Sequence, residues 1–182
     1  MQISGVRAFE SLSNLLHEVK ADAMQFGMLT SDQVTNIQYC LDSALQYYQN
    51  NYSFNLEIDS KIKTHSMNWL LSDPTVKDFQ NTCEEEFSGT CEFCELVPKI
   101  SMALMGICKK LQAEPLFTDK VKIEKWMYTI NRSELAILQY RNFIIRNKMS
   151  DLDWNSYFST EKPHSANVIF DFAMNHLPEK PQ

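Results

Sequence analysis

Glycine is scarce in this chain, at four in 182 residues. That excludes a glycine-rich phosphate loop, in which several backbone amides must approach an anion without an intervening Cβ. It also argues against a turn-rich all-β fold. Basic charge is in deficit, with 17 Lys and Arg against 23 Asp and Glu and a net charge of −6. A free-standing nucleic-acid binder gains affinity by displacing counterions from phosphates and so carries a basic surface. The chain as a whole does not fit that class, although a local basic face can persist within an acidic total. No apolar run reaches the roughly 18 to 20 residues needed to span a bilayer. The start, MQISGVRAFESL, lacks the charged-then-apolar order of a secretory signal. The cysteines, Cys40, Cys83, Cys91, Cys94 and Cys108, are odd in number. Together these features predict a reduced intracellular chain, nuclear or cytoplasmic, without membrane association.

What is present is enough apolar residue, 44%, to form a packed core. Its spacing is mostly helical. Val6, Phe9, Leu12, Leu16 and Val19 recur at three- and four-residue steps and predict a helix over 5–26, stopped by Gly27. Leu29-Thr30-Ser31-Asp32-Gln33-Val34 is a helix-start signal: Thr30 as cap, Gln33 reaching back, Leu29 and Val34 as staple. That helix runs to about residue 50 and makes an antiparallel hairpin with the first. Tyr52–Ile58 alternates apolar and polar residues and fits a short strand or an extended linker. Residues 60–71 read as a helix capped by Asp59 and ended before Pro74. Further helices are expected over about 92–112 and from Thr118-Asp119 to about 147. Ser150–Phe158 reads as a mixed acidic-aromatic segment, and residues 167–174 as a buried strand.

The most specific feature is CEEEFSGTCEFC, residues 83–94, with His65 upstream. Three thiols and one imidazole form a complete tetrahedral ligand set for zinc. The C-x2-C pair, Cys91 and Cys94, can hold one ion from a single turn of chain, while His65 and Cys83 would join from separate segments. Four protein ligands leave no open position for water, so the zinc would be structural. The plainer alternative is free thiols in a reducing compartment. The flanking Glu84, Glu85, Glu86, Glu92 and Glu95 weaken it, because unbound thiols on a polar surface are an oxidation liability. Other ligands considered are His17 and one of these glutamates. A C-x2-C can also be a redox pair. Cys40 and Cys108 fall on apolar helical faces and read as small buried hydrophobes. A catalytic zinc would need one ligand fewer and a carboxylate base. The deaminase pattern is missing, since Thr90 precedes Cys91 and His65-Ser66-Met67 lacks the glutamate. H-E-x-x-H and G-x-S-x-G are absent too.

LLSDPTVKDFQNTCEEEFSGTCEFCEL and VIFDFAMNHLP together resemble segments of large uncharacterised, transposon-derived proteins of cnidarians, sponges and molluscs. In those proteins a histidine precedes an "ALSDP" element, a cysteine and a C-x2-C pair, and a later apolar strand opens a nuclease-like core. The resemblance runs from about residue 50 onward. It departs at Glu85 and Phe87, where the relatives usually carry histidines, and at Phe172, where they carry tryptophan. It implies that Asp171 matches a first catalytic carboxylate. One carboxylate cannot hold the two divalent ions of such a nuclease, so Asp171 reads here as a strand-end residue.

The resulting expectation is a mainly α fold: a zinc-stabilised helical domain with a short C-terminal strand, the truncated start of a catalytic-core sheet. Its parts are a helical hairpin at 1–51, a zinc-binding helical domain at 52–160 and a strand segment at 161–182. The expected function is a non-catalytic structural-zinc module of a transposase-like protein, serving assembly or DNA contact. Lys120, Lys122, Lys125, Arg132, Arg141, Arg146 and Lys148 supply the basic excess for such contact, against the commoner meaning of a solvated helix face. Alternatives are a stand-alone adaptor docking a protein partner through exposed aromatic and methionine residues of the hairpin, and a zinc-dependent hydrolase. The partner is DNA or protein, and a homo-oligomer stays open.

Overall fold

A computed structural model of the chain describes residues 5–71 and 87–159. These are mainly helical, and no strand occurs among them. The helices are α1 Gly5–Gln25, α2 Ser31–Asn50, α3 Tyr52–Asn55, α4 Met67–Leu71, α5 Glu92–Ala113 and α6 Lys120–Ser159. Cys83, Asp171 and the strand expected at 167–174 lie outside the described residues. No described helix is long and apolar enough to cross a membrane.

The α1–α2 connection forms as its residues dictate. Gly27 takes φ +67°, the left-handed region a residue without Cβ enters freely. Its N–H donates to Met24 O (3.1 Å) and that of Met28 to Ala23 O (2.7 Å), the paired bonds of a Schellman stop. Thr30 then opens α2. Its Oγ1 accepts from Gln33 N–H (3.2 Å), and its own N–H donates to Gln33 Oε1 (2.9 Å). Leu29 and Val34 are both buried, as the staple requires.

The four long helices form a ring of neighbours. α1 packs on α2 and α6, α5 packs on α2 and α6, and the α1–α5 diagonal meets only slightly. One core unites Phe9, Leu12 and Leu16 of α1, Leu41 and Tyr48 of α2, Leu104 and Leu111 of α5, and Ile123, Trp126, Ile130 and Ile137 of α6. The segment before residue 50 therefore packs directly on the rest of the described chain. At Gly5 the backbone of α1 comes so close to α6 that a Cβ there would overlap the Tyr140 side chain. Two polar contacts fix the same pair of helices: Trp126 Nε1–H donates to Glu18 (3.0 Å), and Lys122 pairs with Asp22 (2.7 Å).

Three expectations are corrected. Residues 150–158 continue α6, because no glycine or proline interrupts the chain from 120 to 159. At 1.5 Å per residue α6 is about 60 Å long, roughly twice α1. Tyr52–Ile58 is neither strand nor plain linker: Tyr52–Asn55 is one helical turn, Leu56 is extended, and Glu57 forms an isolated bridge with Ser66. The helix expected over 60–71 shrinks to Met67–Leu71. Preceding residues fold back instead, with Met67 N–H donating to Glu57 O (2.9 Å) and Asn68 N–H to Ile58 O (3.1 Å). Those bonds outweigh a helical apolar spacing that was shared by only a few residues.

Candidate metal centre

His65 sits on the 57–66 loop, one residue short of the bridge partner Ser66. Its N–H donates to Ile62 O (2.9 Å) and its carbonyl accepts from Glu57 N–H (3.2 Å). Tyr52 Oη donates to the neighbouring Thr64 carbonyl (2.9 Å). The loop is thus tied to itself and to α3, so the imidazole is held from both sides. His65 comes from this loop and not from a helix, as expected before.

The loop is also joined to the start of α5. Ser88 N–H donates to Lys61 O (3.1 Å), and Ile62 bridges Gly89. A Cβ on Gly89 would stand 3.1 Å from the Ile62 side chain, so glycine permits this close crossing. Two residues later Cys91 forms the N-cap position of α5, with extended backbone, and Cys94 lies in the first turn. Pro98 stands four residues after Cys94 and has no N–H to give the Cys94 carbonyl. Glu92 and Glu95 place negative charge at the end of the helix that favours it.

These two segments bring His65, Cys91 and Cys94 together. All three are buried, and their donor atoms lie within 4.8 Å of one another. His65 Nε2 and Cys94 Sγ are 3.6 Å apart. Zinc bonds of about 2.0–2.1 Å to nitrogen and about 2.3 Å to sulfur set a tetrahedral N···S edge of about 3.6 Å. One edge of a zinc tetrahedron is therefore already at its spacing. The group can hold a metal ion, and its donor set suits a borderline-soft cation. His17 is exposed on α1 and takes no part in it. Cys108 is fully buried as a small hydrophobe, and Cys40 is half-buried.

A layer of tyrosines that the sequence did not single out surrounds the donors. Tyr47, on α2, places its hydroxyl 2.8 Å from His65 Nε2 and 3.5 Å from Cys91 Sγ. Asn55 Nδ2 donates to the same oxygen at 3.0 Å. The Tyr47 ring stacks on Phe93 at 4.9 Å between centroids. Tyr52 meets the His65 ring edge-on. The reading of residues 31–50 as a helix gives no sign that Tyr47 carries a polar role.

Burial sets the protonation of this corner. It pushes the Cys94 thiol up to about 12, with the neighbouring Cys91 adding to the rise and the Thr64 hydroxyl and Arg141 opposing it. It holds the His65 imidazole below its usual value, opposed by the charge of Glu57. Tyr47, Tyr48 and Tyr52 are all raised, chiefly by burial. Without a cation the site is a set of neutral donors: protonated Cys94, uncharged imidazole, intact phenols. Arg141, from α6, is the positive group that favours charge on Tyr48, Tyr52 and Cys94, and its buried Nε has no hydrogen-bond partner among the described residues. The chain matches no protein-family model, no curated protein and no solved structure.

Proposed function

We propose that this chain is a structural metal-binding helical module, with zinc held by His65, Cys91, Cys94 and, from outside the described residues, Cys83. The carrying observation is the convergence of three buried donors from two separated segments, with the Nε2–Sγ pair at tetrahedral spacing. Burial of all the described donors favours a cross-link over a reaction centre, because a catalytic zinc must present an open position to substrate. A cation would join the 57–66 loop to α5, which Tyr47 also ties to α2. With three thiolates and one imidazole the centre would carry a net negative charge, and Arg141 is placed to offset it.

The wider setting, a transposase-like protein of transposon origin, rests on the resemblance of the segments around 70–96 and 168–178. Within such a setting assembly is the better-supported service. Part of the basic excess of α6 makes contacts within the chain, mostly at its surface. Lys120 Nζ donates to the Gln112 carbonyl (2.6 Å) at the end of α5, Lys122 pairs with Asp22, and Arg132 donates to Tyr128 (2.9 Å). Large exposed apolar side chains collect on α6, at Val121, Tyr128, Leu135 and Phe143, more than on the hairpin.

Elemental assay of the full chain, purified under reduction, tests the metal. We expect one zinc per chain, and chelation should lower the melting temperature and make Cys91 and Cys94 accessible to thiol reagents. A chain without stoichiometric transition metal, or one whose helicity and melting ignore chelators, overturns the proposal.

A further inference from the structure

Three hydrogen bonds converge on one oxygen. Asn55 Nδ2 donates to Tyr47 Oη at 3.0 Å, and Cys91 Sγ–H donates to it at 3.5 Å. Both acceptor positions of the phenol are then filled. Its single proton must go to the remaining neighbour, His65 Nε2 at 2.8 Å, which accepts through its lone pair. The metal-free arrangement is fully satisfied and consumes the two groups a cation needs. Nε2 is occupied as an acceptor, and Cys91 Sγ is engaged as a donor to the phenol oxygen.

We infer that Tyr47 is the positioning residue of the metal centre, whose hydroxyl proton turns from His65 Nε2 to the Cys91 thiolate when a cation is bound. This rests on the metal reading above. Coordination takes the Nε2 lone pair, so the phenol proton loses its acceptor. Coordination also displaces the Cys91 proton to solvent, so the sulfur changes from donor to acceptor. Zinc about 2.0–2.1 Å from Nε2 would take the place the phenol oxygen holds on that lone pair, so the hydroxyl swings off Nε2 toward Cys91 Sγ, 3.5 Å away, as its proton turns. The buried ring lies against Phe93 at 4.9 Å with planes 14° apart, so this shift is a slide along the Phe93 face that keeps the stacking. An N–H or O–H donor to a metal-bound thiolate withdraws sulfur electron density and orients the ligand, and loss of such outer partners typically weakens metal binding by about 10- to 100-fold.

The test uses the full chain loaded with cobalt or zinc, comparing wild type, Tyr47→Phe and Asn55→Ala. Tyr47→Phe should still bind one metal in tetrahedral geometry, with affinity lower by about 10- to 100-fold in chelator competition. Its thiolate-to-cobalt charge-transfer band should move to longer wavelength, and iodoacetamide should alkylate its zinc-loaded form several-fold faster. A phenylalanine that merely packs would leave the band and the alkylation rate where they were. Asn55 is exposed, so Asn55→Ala keeps the core intact and should shift the band the same way by less. Unchanged band, rate and affinity in both variants overturn the inference while leaving the metal site standing. Loss of stoichiometric binding by a folded Tyr47→Phe also overturns it, by making Tyr47 a ligand. A wild-type chain that binds no metal defeats both this inference and the reading beneath it.

Discussion

Between α1 and α6 the buried atoms are mostly carbon: Leu12, Leu16 and Val19 on one side, Ile123, Trp126 and Ile130 on the other. Between the 57–66 loop and the start of α5 they include an imidazole, two thiols and a phenol. The first contact gains free energy from area removed from water, at about 25 cal/mol per Å² of apolar surface, and asks for no particular chemical state. The second buries polar groups, and burial reinforces the neutral forms of Cys94, His65 and Tyr47. A fold can therefore hold its frame by area and keep, in one corner, a set of donors whose ordering depends on what they bind. The difference sets a frame held by apolar area against a corner whose chemical state can answer to a bound cation.

The largest effect that sharpens this contrast is in the frame. Trp126 is 1% exposed and its Nε1–H reaches Glu18. Trp126→Ala should lose about 3–5 kcal/mol of stability through lost transfer energy and the cavity left behind. Urea unfolding followed by circular dichroism should give the same loss with zinc and with chelator. A loss that grows or shrinks with metal would mean that frame and corner are one cooperative unit.

A smaller effect is the pH dependence of the metal-free chain. The folded state keeps His65 neutral, whereas the unfolded state takes its proton near the ordinary 6.5. Below that value the unfolded chain binds more protons, so stability falls as pH falls. On the alkaline side the order reverses. Unfolded thiols ionise near 9.0, while burial raises Cys94 to about 12 and Cys108 to about 11. Above pH 9 the unfolded chain has lost protons the folded one retains, and stability falls as pH rises. Zinc should remove the Cys94 share of the alkaline loss, since that thiol is then already ionised, and should steepen the acid loss, where protons displace the ion. Melting temperatures across pH, with zinc and with chelator, check this; coincident profiles would sink the assignment of Cys94 to the metal.

The frame was the more legible region. Gly27, Thr30 and Gln33 act through local chemistry, and their geometry follows from residue type alone. The apolar repeats of α1, α2 and α5 fix which faces are buried, because one helix face must leave water whatever it meets. The corner was legible in its donors: the C-x2-C spacing and His65 name a chemistry, and the structure brings the three described members together. Its backbone was not legible. Residues 60–71 read as a helix, yet the bridges Glu57–Ser66 and Ile62–Gly89 shape the loop, and bridges between distant residues leave no periodic trace. Tyr47 and Asn55 were missed for a related reason. One is a tyrosine on an amphipathic helix and the other an asparagine in a turn, and only their meeting at one oxygen gives them a role.

The smallest expected effect has the opposite sign and tests the contrast from the polar side. Ser133 of α6 is 1% exposed and Ser101 of α5 is 3% exposed, and neither hydroxyl has a hydrogen-bond partner among the described residues. In the corner, Tyr47 Oη is buried with every donor and acceptor engaged, so removing it should weaken the site. In the frame, an unpartnered hydroxyl contributes only its desolvation penalty, on the order of 1–3 kcal/mol in general. Ser133→Ala deletes that penalty, leaves a void of a single oxygen atom and favours the helix slightly. It should raise stability by about 1 kcal/mol, read as a higher urea midpoint at unchanged slope. Ser101→Ala should behave alike, and neither should alter metal affinity. A destabilised Ser133→Ala would show that the hydroxyl is satisfied after all and that the frame, like the corner, depends on buried polar pairing.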